Sequence, residues 1–171
     1  MKKFVVALSI LCMISVLSFA KENNDREFII KVGFQPQSTL LDSNTNLSGS
    51  CGFEYSQYLF NIFALGAGAT YDFYRNFEYN SSSGNISFLP IYFCAKLRTP
   101  LQGLGNNYFF LSEKLGYSAC MANSTLWKSI TGGLYYGVGI GISIDAFVIE
   151  SIYSVSSLTY KTNSKTCYAS F

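Results

Sequence analysis

The sequence predicts an all-β chain: an N-terminal leader, then an eight-stranded antiparallel up-and-down barrel that crosses a membrane. Three observations predict it. Charged residues make up only 13% of the 171, about half the usual globular share. A surface facing water needs roughly a quarter to a third charged side chains, more than this chain can supply. The first residues form a positively started apolar run, and from residue 21 onward apolar residues alternate with small or polar ones.

The leader comes first. Lys2 and Lys3 precede an apolar run from Phe4 to Leu17, interrupted only by Ser9 and Ser15. Ser18-Phe19-Ala20 places small residues three and one positions before the polar stretch Lys21-Glu22-Asn23-Asn24-Asp25. That is the layout of a secretory signal peptide cut after Ala20, leaving 21–171 as the barrel domain. The run is too short for a permanent membrane helix. Leu11 before Cys12 is not small, which argues against a lipid anchor at that cysteine. Removing Lys2 and Lys3 from the 12 basic residues leaves 10 against 10 acidic ones. So balanced a chain has no electrostatic footprint for nucleic acid.

The strands follow in order. Phe28, Ile30, Val32 and Phe34 alternate with Lys31, Gly33 and Gln35. Cys51, Phe53 and Tyr55 oppose Gly52, Glu54 and Ser56; Phe63, Leu65, Ala67, Ala69 and Tyr71 oppose Ala64, Gly66, Gly68, Thr70 and Asp72. Leu89, Ile91, Phe93, Ala95 and Leu97 face away from Cys94 and Lys96. Phe109, Leu111, Leu115 and Tyr117 oppose Ser112, Lys114, Gly116 and Ser118. From Gly133 to Asp145, Leu134, Tyr136, Val138, Ile140, Ile142 and Ile144 oppose Tyr135, Gly137, Gly139, Gly141, Ser143 and Asp145. Phe147, Ile149 and Tyr153 oppose Glu150 and Ser154, and a last short strand runs from about Lys165 to Phe171. Long polar connections fall near 36–48, 74–85, 119–131 and 155–164, and shorter ones near 57–61, 98–107 and 145–146. Long loops at one end and tight turns at the other are the plan of an outer-membrane barrel.

Alternation alone does not say which face looks outward. A soluble lipocalin-like barrel would turn the bulky residues inward around a ligand. The charges on the small face are Lys31, Glu54, Asp72, Lys96, Lys114, Asp145 and Glu150. Three basic and four acidic groups are a thin coat for a soluble exterior, but suit an interior where charges pair. Tyr55, Tyr71, Tyr117, Tyr136 and Tyr153 fit aromatic girdles near strand ends. The bulky face is therefore expected to meet lipid. Glu113 is the exception, since parity puts it on that face, where only a bulge or a position near the interface would relieve it.

Lys114-Leu115-Gly116-Tyr117-Ser118, Gly132-Gly133-Leu134-Tyr135-Tyr136-Gly137-Val138-Gly139-Ile140-Gly141, Ile149-Glu150-Ser151-Ile152-Tyr153-Ser154 and the terminal Phe171 carry a resemblance. The chain resembles the small eight-stranded outer-membrane barrels of diderm bacteria, of the OmpX-like and OmpA-membrane-domain kind. The resemblance covers most of the chain after the leader, through loose patterns. It implies an outer-membrane location, and a terminal Phe171 read by the outer-membrane assembly machinery. The chain departs from the family at Ala169, where an aromatic or large apolar residue is preferred.

No catalytic, cofactor or metal site is expected. The chain has no histidine, which excludes His-dependent triads and His metal sites. Gly137-Val138-Gly139-Ile140-Gly141 lacks the third glycine of a dinucleotide fingerprint, because Ile142 stands there, and it lies inside a strand. Its glycines are read as small inward residues that make room for neighbours. A Ser-Lys or carboxylate pair drawn from Glu54, Lys114 and Glu150 is better read as structural pairing. Beyond Cys12, the cysteines are Cys51, Cys94, Cys120 and Cys167. The strand map puts Cys51 and Cys167 about two spacings of roughly 4.8 Å apart, beyond the roughly 7 Å Cα limit for a bridge. It puts Cys94 opposite about residue 111, so four free thiols are expected. The sequons at Asn80 and Asn123 suggest nothing specific.

Two function classes stand open. One is a structural, adhesive or surface-binding barrel whose outer loops, with Trp127 as a contact or anchor, meet host molecules, other cells or glycolipid. The other is a narrow channel or small-solute carrier. Eight strands enclose a space that side chains fill. Tyr92, Phe110 and Tyr135 are expected to fill it alongside paired charges.

Overall fold

Aromatic and β-branched residues spaced by small ones suit a pleated surface with two unlike faces. The computed structural model describes residues 16–23, 26–35, 48–60, 62–79, 82–101, 107–122, 130–160 and 166–170. They form β1 (Val16–Asn23), β2 (Arg26–Gln35), β3 (Ser48–Phe60), β4 (Phe63–Tyr79), β5 (Ser82–Pro100), β6 (Tyr108–Ala122), β7 (Ile130–Ile144), β8 (Phe147–Tyr160) and β9 (Thr166–Ser170). All are β-strands, and each pairs antiparallel with the next in chain order.

Seven long strands, β2 to β8, make one curled up-and-down meander, with the short β1 and β9 at its margins. Both margins lie against β8. β9 pairs with Val155–Thr159, and β1 pairs with Phe147–Glu150 while also pairing with β2. β1 spans Ala20, the expected end of the leader, and was not anticipated. The rest of the leader, including Cys12, lies outside the described residues, as do Trp127 and Phe171.

The strands run longer than the alternation indicated. The connection expected over 74–85 is largely a hairpin, with β4 reaching Tyr79 and β5 starting at Ser82. β6 and β8 likewise extend into 119–122 and 155–160. Ser, Asn, Thr and Tyr there break the apolar pattern, but their backbone still pairs with the neighbouring strand, and pairing decides a strand's length. What remains of the longer connections, 36–47, 80–81, 123–129 and 161–165, falls outside the described residues. We call that end of the sheet upper, and the end with the turns after β3, β5 and β7 lower.

The two faces divide as expected. Outward and exposed are Phe28, Ile30, Val32 and Phe34 on β2, Phe53 and Tyr55 on β3, Ile91 and Phe93 on β5, Leu115 and Tyr117 on β6, Leu134 and Ile140 on β7, and Phe147 and Tyr153 on β8. Inward and buried are Lys31, Glu54, Asp72, Lys96, Lys114 and Glu150. Asp145 is a correction. It sits exposed in the two-residue β7–β8 turn with φ 52°, and its N–H donates to Asn107 Oδ1 at 2.8 Å. Such a turn needs a residue that tolerates the left-handed region, and Asp does.

Glu113 keeps the parity of its strand. The β5–β6 register runs without a shift from Ile86↔Ala122 to Pro100↔Tyr108, so no bulge turns it inward. It stands exposed between Ala95 on β5 and Val138 on β7. Cys51, Cys94 and Cys120 are free thiols. Cys94 pairs across the ladder with Lys114, three residues from the position expected, because the strands continue further toward the lower turn. The side chain of Cys167 lies outside the described set.

Candidate functional site

The inner face is where the chain concentrates its chemistry. Each central charge lies beside small neighbours on adjacent strands. Lys31 pairs with Gly52, Glu54 with Gly68, Lys96 with Ala64 and Ser112, Lys114 with Gly137, and Glu150 with Gly141. A long side chain can therefore fold over its neighbour and reach the middle of the lumen. The glycines serve the aromatics too: a Cβ on Gly141 would lie 2.3 Å from Phe110 Cζ, and one on Gly68 would lie 2.9 Å from Tyr92 Cζ. This is the room-making role read from the sequence.

The charges form one network. Glu54 Oε2 accepts from Lys31 Nζ at 2.6 Å, and Glu54 Oε1 lies 2.7 Å from Lys96 Nζ. Lys114 Nζ stands 3.6 Å from Glu54 and donates to both oxygens of Glu150 at 3.0 Å. Lys31 also donates to Glu150 at 3.0 Å. Ser112 adds a 2.5 Å hydrogen bond to Glu150, and Tyr92 a 3.1 Å one to Glu54. All of these charged groups are at least nine-tenths buried.

The sequence reading missed the lower part of this network. Glu27 is buried and accepts from Lys96 at 2.9 Å and from Tyr108 at 2.6 Å, with the Tyr58 hydroxyl at 3.5 Å. Arg98 closes the lower mouth, its Cζ 3.7 Å from the centre of the Tyr58 ring and 5.3 Å from that of Tyr108. The signal for Glu27 was present, since it shares the parity of Lys31 one residue before the assigned start of its strand. Ile29, Phe110 and Val148 pack with Tyr108 beside it.

Above the network the inner face loosens. Tyr92 and Tyr135, predicted as fillers, are buried with ring centroids 5.5 Å apart. Beside them a cavity of about 30 Å³ is lined by Lys31, Thr70, Asp72, Pro90, Tyr92 and Tyr135, among others. That is space for about two water molecules. A paired, filled lumen with so small a chamber holds its charges fixed and offers no wide aqueous path among the described residues.

Compared with known proteins, the chain matches no family model, no curated protein and no solved structure.

Proposed function

We propose that the chain is a small outer-membrane β-barrel of the OmpX-like kind, exported from a diderm bacterium, whose barrel is a lipid-embedded scaffold and whose upper end meets a surface partner. The observation that carries this reading is the inversion of the two faces. Lysines and glutamates are buried inside, while Phe53, Ile91, Phe93, Leu115 and Ile140 are each more than half exposed outside. Water penalises that arrangement and a bilayer favours it.

A bilayer also requires closure, because backbone groups on an open sheet edge find no partner in lipid. Seven long strands and one row shared by β9 above and β1 below give eight rows around the barrel. In the processed protein the residues after Ala20 and the end at Phe171, which the assembly machinery would read, would complete that row.

Transport is the weaker reading, because the network occupies the lumen. Binding through the upper connections, to a host molecule, another cell or a glycolipid, is what the scaffold leaves available. The test is membrane fractionation combined with protease treatment of intact cells. The chain should require detergent for extraction and be clipped only in its upper connections. Recovery of intact protein in the detergent-free periplasmic fraction would overturn the reading and favour a lipocalin-like barrel.

A further inference from the structure

β5 carries a proline at the centre of its 19 residues, in a sheet with neighbours on both sides. A Cβ on Gly116 would lie 2.0 Å from the Ile91 carbonyl oxygen, so Ile91 directs its hydrogen-bonding groups to β6. Consecutive residues in a strand alternate, and the ring nitrogen of Pro90 therefore faces β4 with no hydrogen to donate. The ladders agree. β5–β6 runs unbroken through Pro90↔Ser118, whereas β4–β5 passes from Ala69↔Ile91 to Asp72↔Phe88 and shifts register before Arg75↔Ile86. Proline inside a sheet is otherwise confined to edges and bulges.

Two further observations meet at this seam. On the inner side, Thr70, Asp72 and Pro90 line the cavity. Directly opposite Pro90, Ser118 is 0% exposed, and its hydroxyl has no hydrogen-bond partner among the described residues. A buried polar atom without a partner points to an additional group in its vicinity. On the outer side, Ala67 and Ala69 lie between Tyr55 and Phe53 of β3 and Phe93 and Ile91 of β5. Phe93 is 77% exposed, so the two alanines form the floor of a furrow that ends at the seam.

The geometry points to a lateral binding site for a single-chain amphiphile. Its alkyl chain lies in the Ala67–Ala69 furrow, and a small, uncharged, hydroxyl-bearing head enters where the β4–β5 ladder lacks a bond. The head is uncharged because Lys31 and Lys114 are already held by Glu54 and Glu150, while Asp72 on the wall opposes an anion. What remains to meet it are the hydroxyls of Thr70, Tyr92 and Tyr135. The site rests on the bilayer reading, since the furrow is on the lipid-facing side.

The test uses the folded barrel in detergent micelles, examined by native mass spectrometry with 1-monooleoylglycerol and, separately, oleate. One monooleoylglycerol should stay bound per barrel, with oleate about tenfold weaker. Filling the furrow with A67L/A69L, which leaves the interior untouched, should weaken retention about tenfold, as should P90V, which restores the missing N–H. Amide exchange at Thr70–Asp72 should run at least about tenfold faster than at Leu65–Gly68, and P90V should remove the difference. Equal retention by the wild type and A67L/A69L, preference for oleate, or uniform exchange would each overturn the site while leaving the barrel standing. A chain that stays soluble without detergent would overturn both, and fractionation tells the two failures apart.

Discussion

At and below the level of Lys31 the lumen is filled by charges that satisfy one another, whereas above it hydroxyl groups surround a space no side chain occupies. The lower part has Glu54 within reach of three lysines and Glu27 held by Lys96 and Tyr108. The upper part has Thr70, Tyr92 and Tyr135 around the cavity and an unpartnered Ser118 nearby. The same alternation builds both. The difference is which residue types fall on the inward parity, and it separates a region that fixes the barrel's shape from one able to exchange its contents.

The strongest way to break this comparison is at Glu54. E54L removes the one carboxylate that contacts Lys31, Lys96 and Lys114 together, leaving excess positive charge in a dry space. Removing one partner of a buried pair costs about 3–5 kcal/mol. Urea titration of the barrel in lipid vesicles should show a loss of that size. A loss under about 1 kcal/mol would mean that water already reaches the network.

Lys96 and Glu27 sharpen the point. K96M leaves Glu27 with hydroxyl donors only among the contacts described above. Adding E27L should recover part of the loss, with a coupling energy of about 1–3 kcal/mol in a double-mutant cycle. Additive effects would show that the pair is not a unit.

Much of this was legible in the sequence, and the misses have physical causes. Period-two patterning located the strands because side-chain parity is a local property. It assigned Lys31, Glu54, Lys96, Lys114 and Glu150 to the inside, and it anticipated the inward Tyr92, Phe110 and Tyr135. It overestimated the loops, because the paired ends of β4 and β5 no longer alternate apolar with polar. Asp145 was misplaced because a turn suspends parity. The cavity and the Pro90 seam could not be read from one strand at a time, since each depends on what the neighbouring strand places opposite.

On the outer face, Glu113 is the one charged side chain among the described outward residues between the strand ends. In lipid a mid-strand carboxylate costs less than the roughly 2–4 kcal/mol of a basic residue at the midplane. E113L should therefore stabilise the barrel in vesicles by about 1 kcal/mol and leave the lumen unchanged. A destabilising result would show that Glu113 has a partner in the membrane plane.

The smallest effect is expected at Ser118, in the loose upper region. Its hydroxyl is buried without a partner, so the folded state bears a desolvation cost that an alanine would not. S118A removes that cost and leaves a space no larger than a hydroxyl. The change should be slightly stabilising, within about 1 kcal/mol, in the same urea titration that reads E54L. The opposite signs at Glu54 and Ser118 are the quantitative form of the contrast between the two regions. If S118A instead destabilised by about 2 kcal/mol, Ser118 would be bonded to an ordered group in the chamber. The upper lumen would then be as tightly built as the lower one.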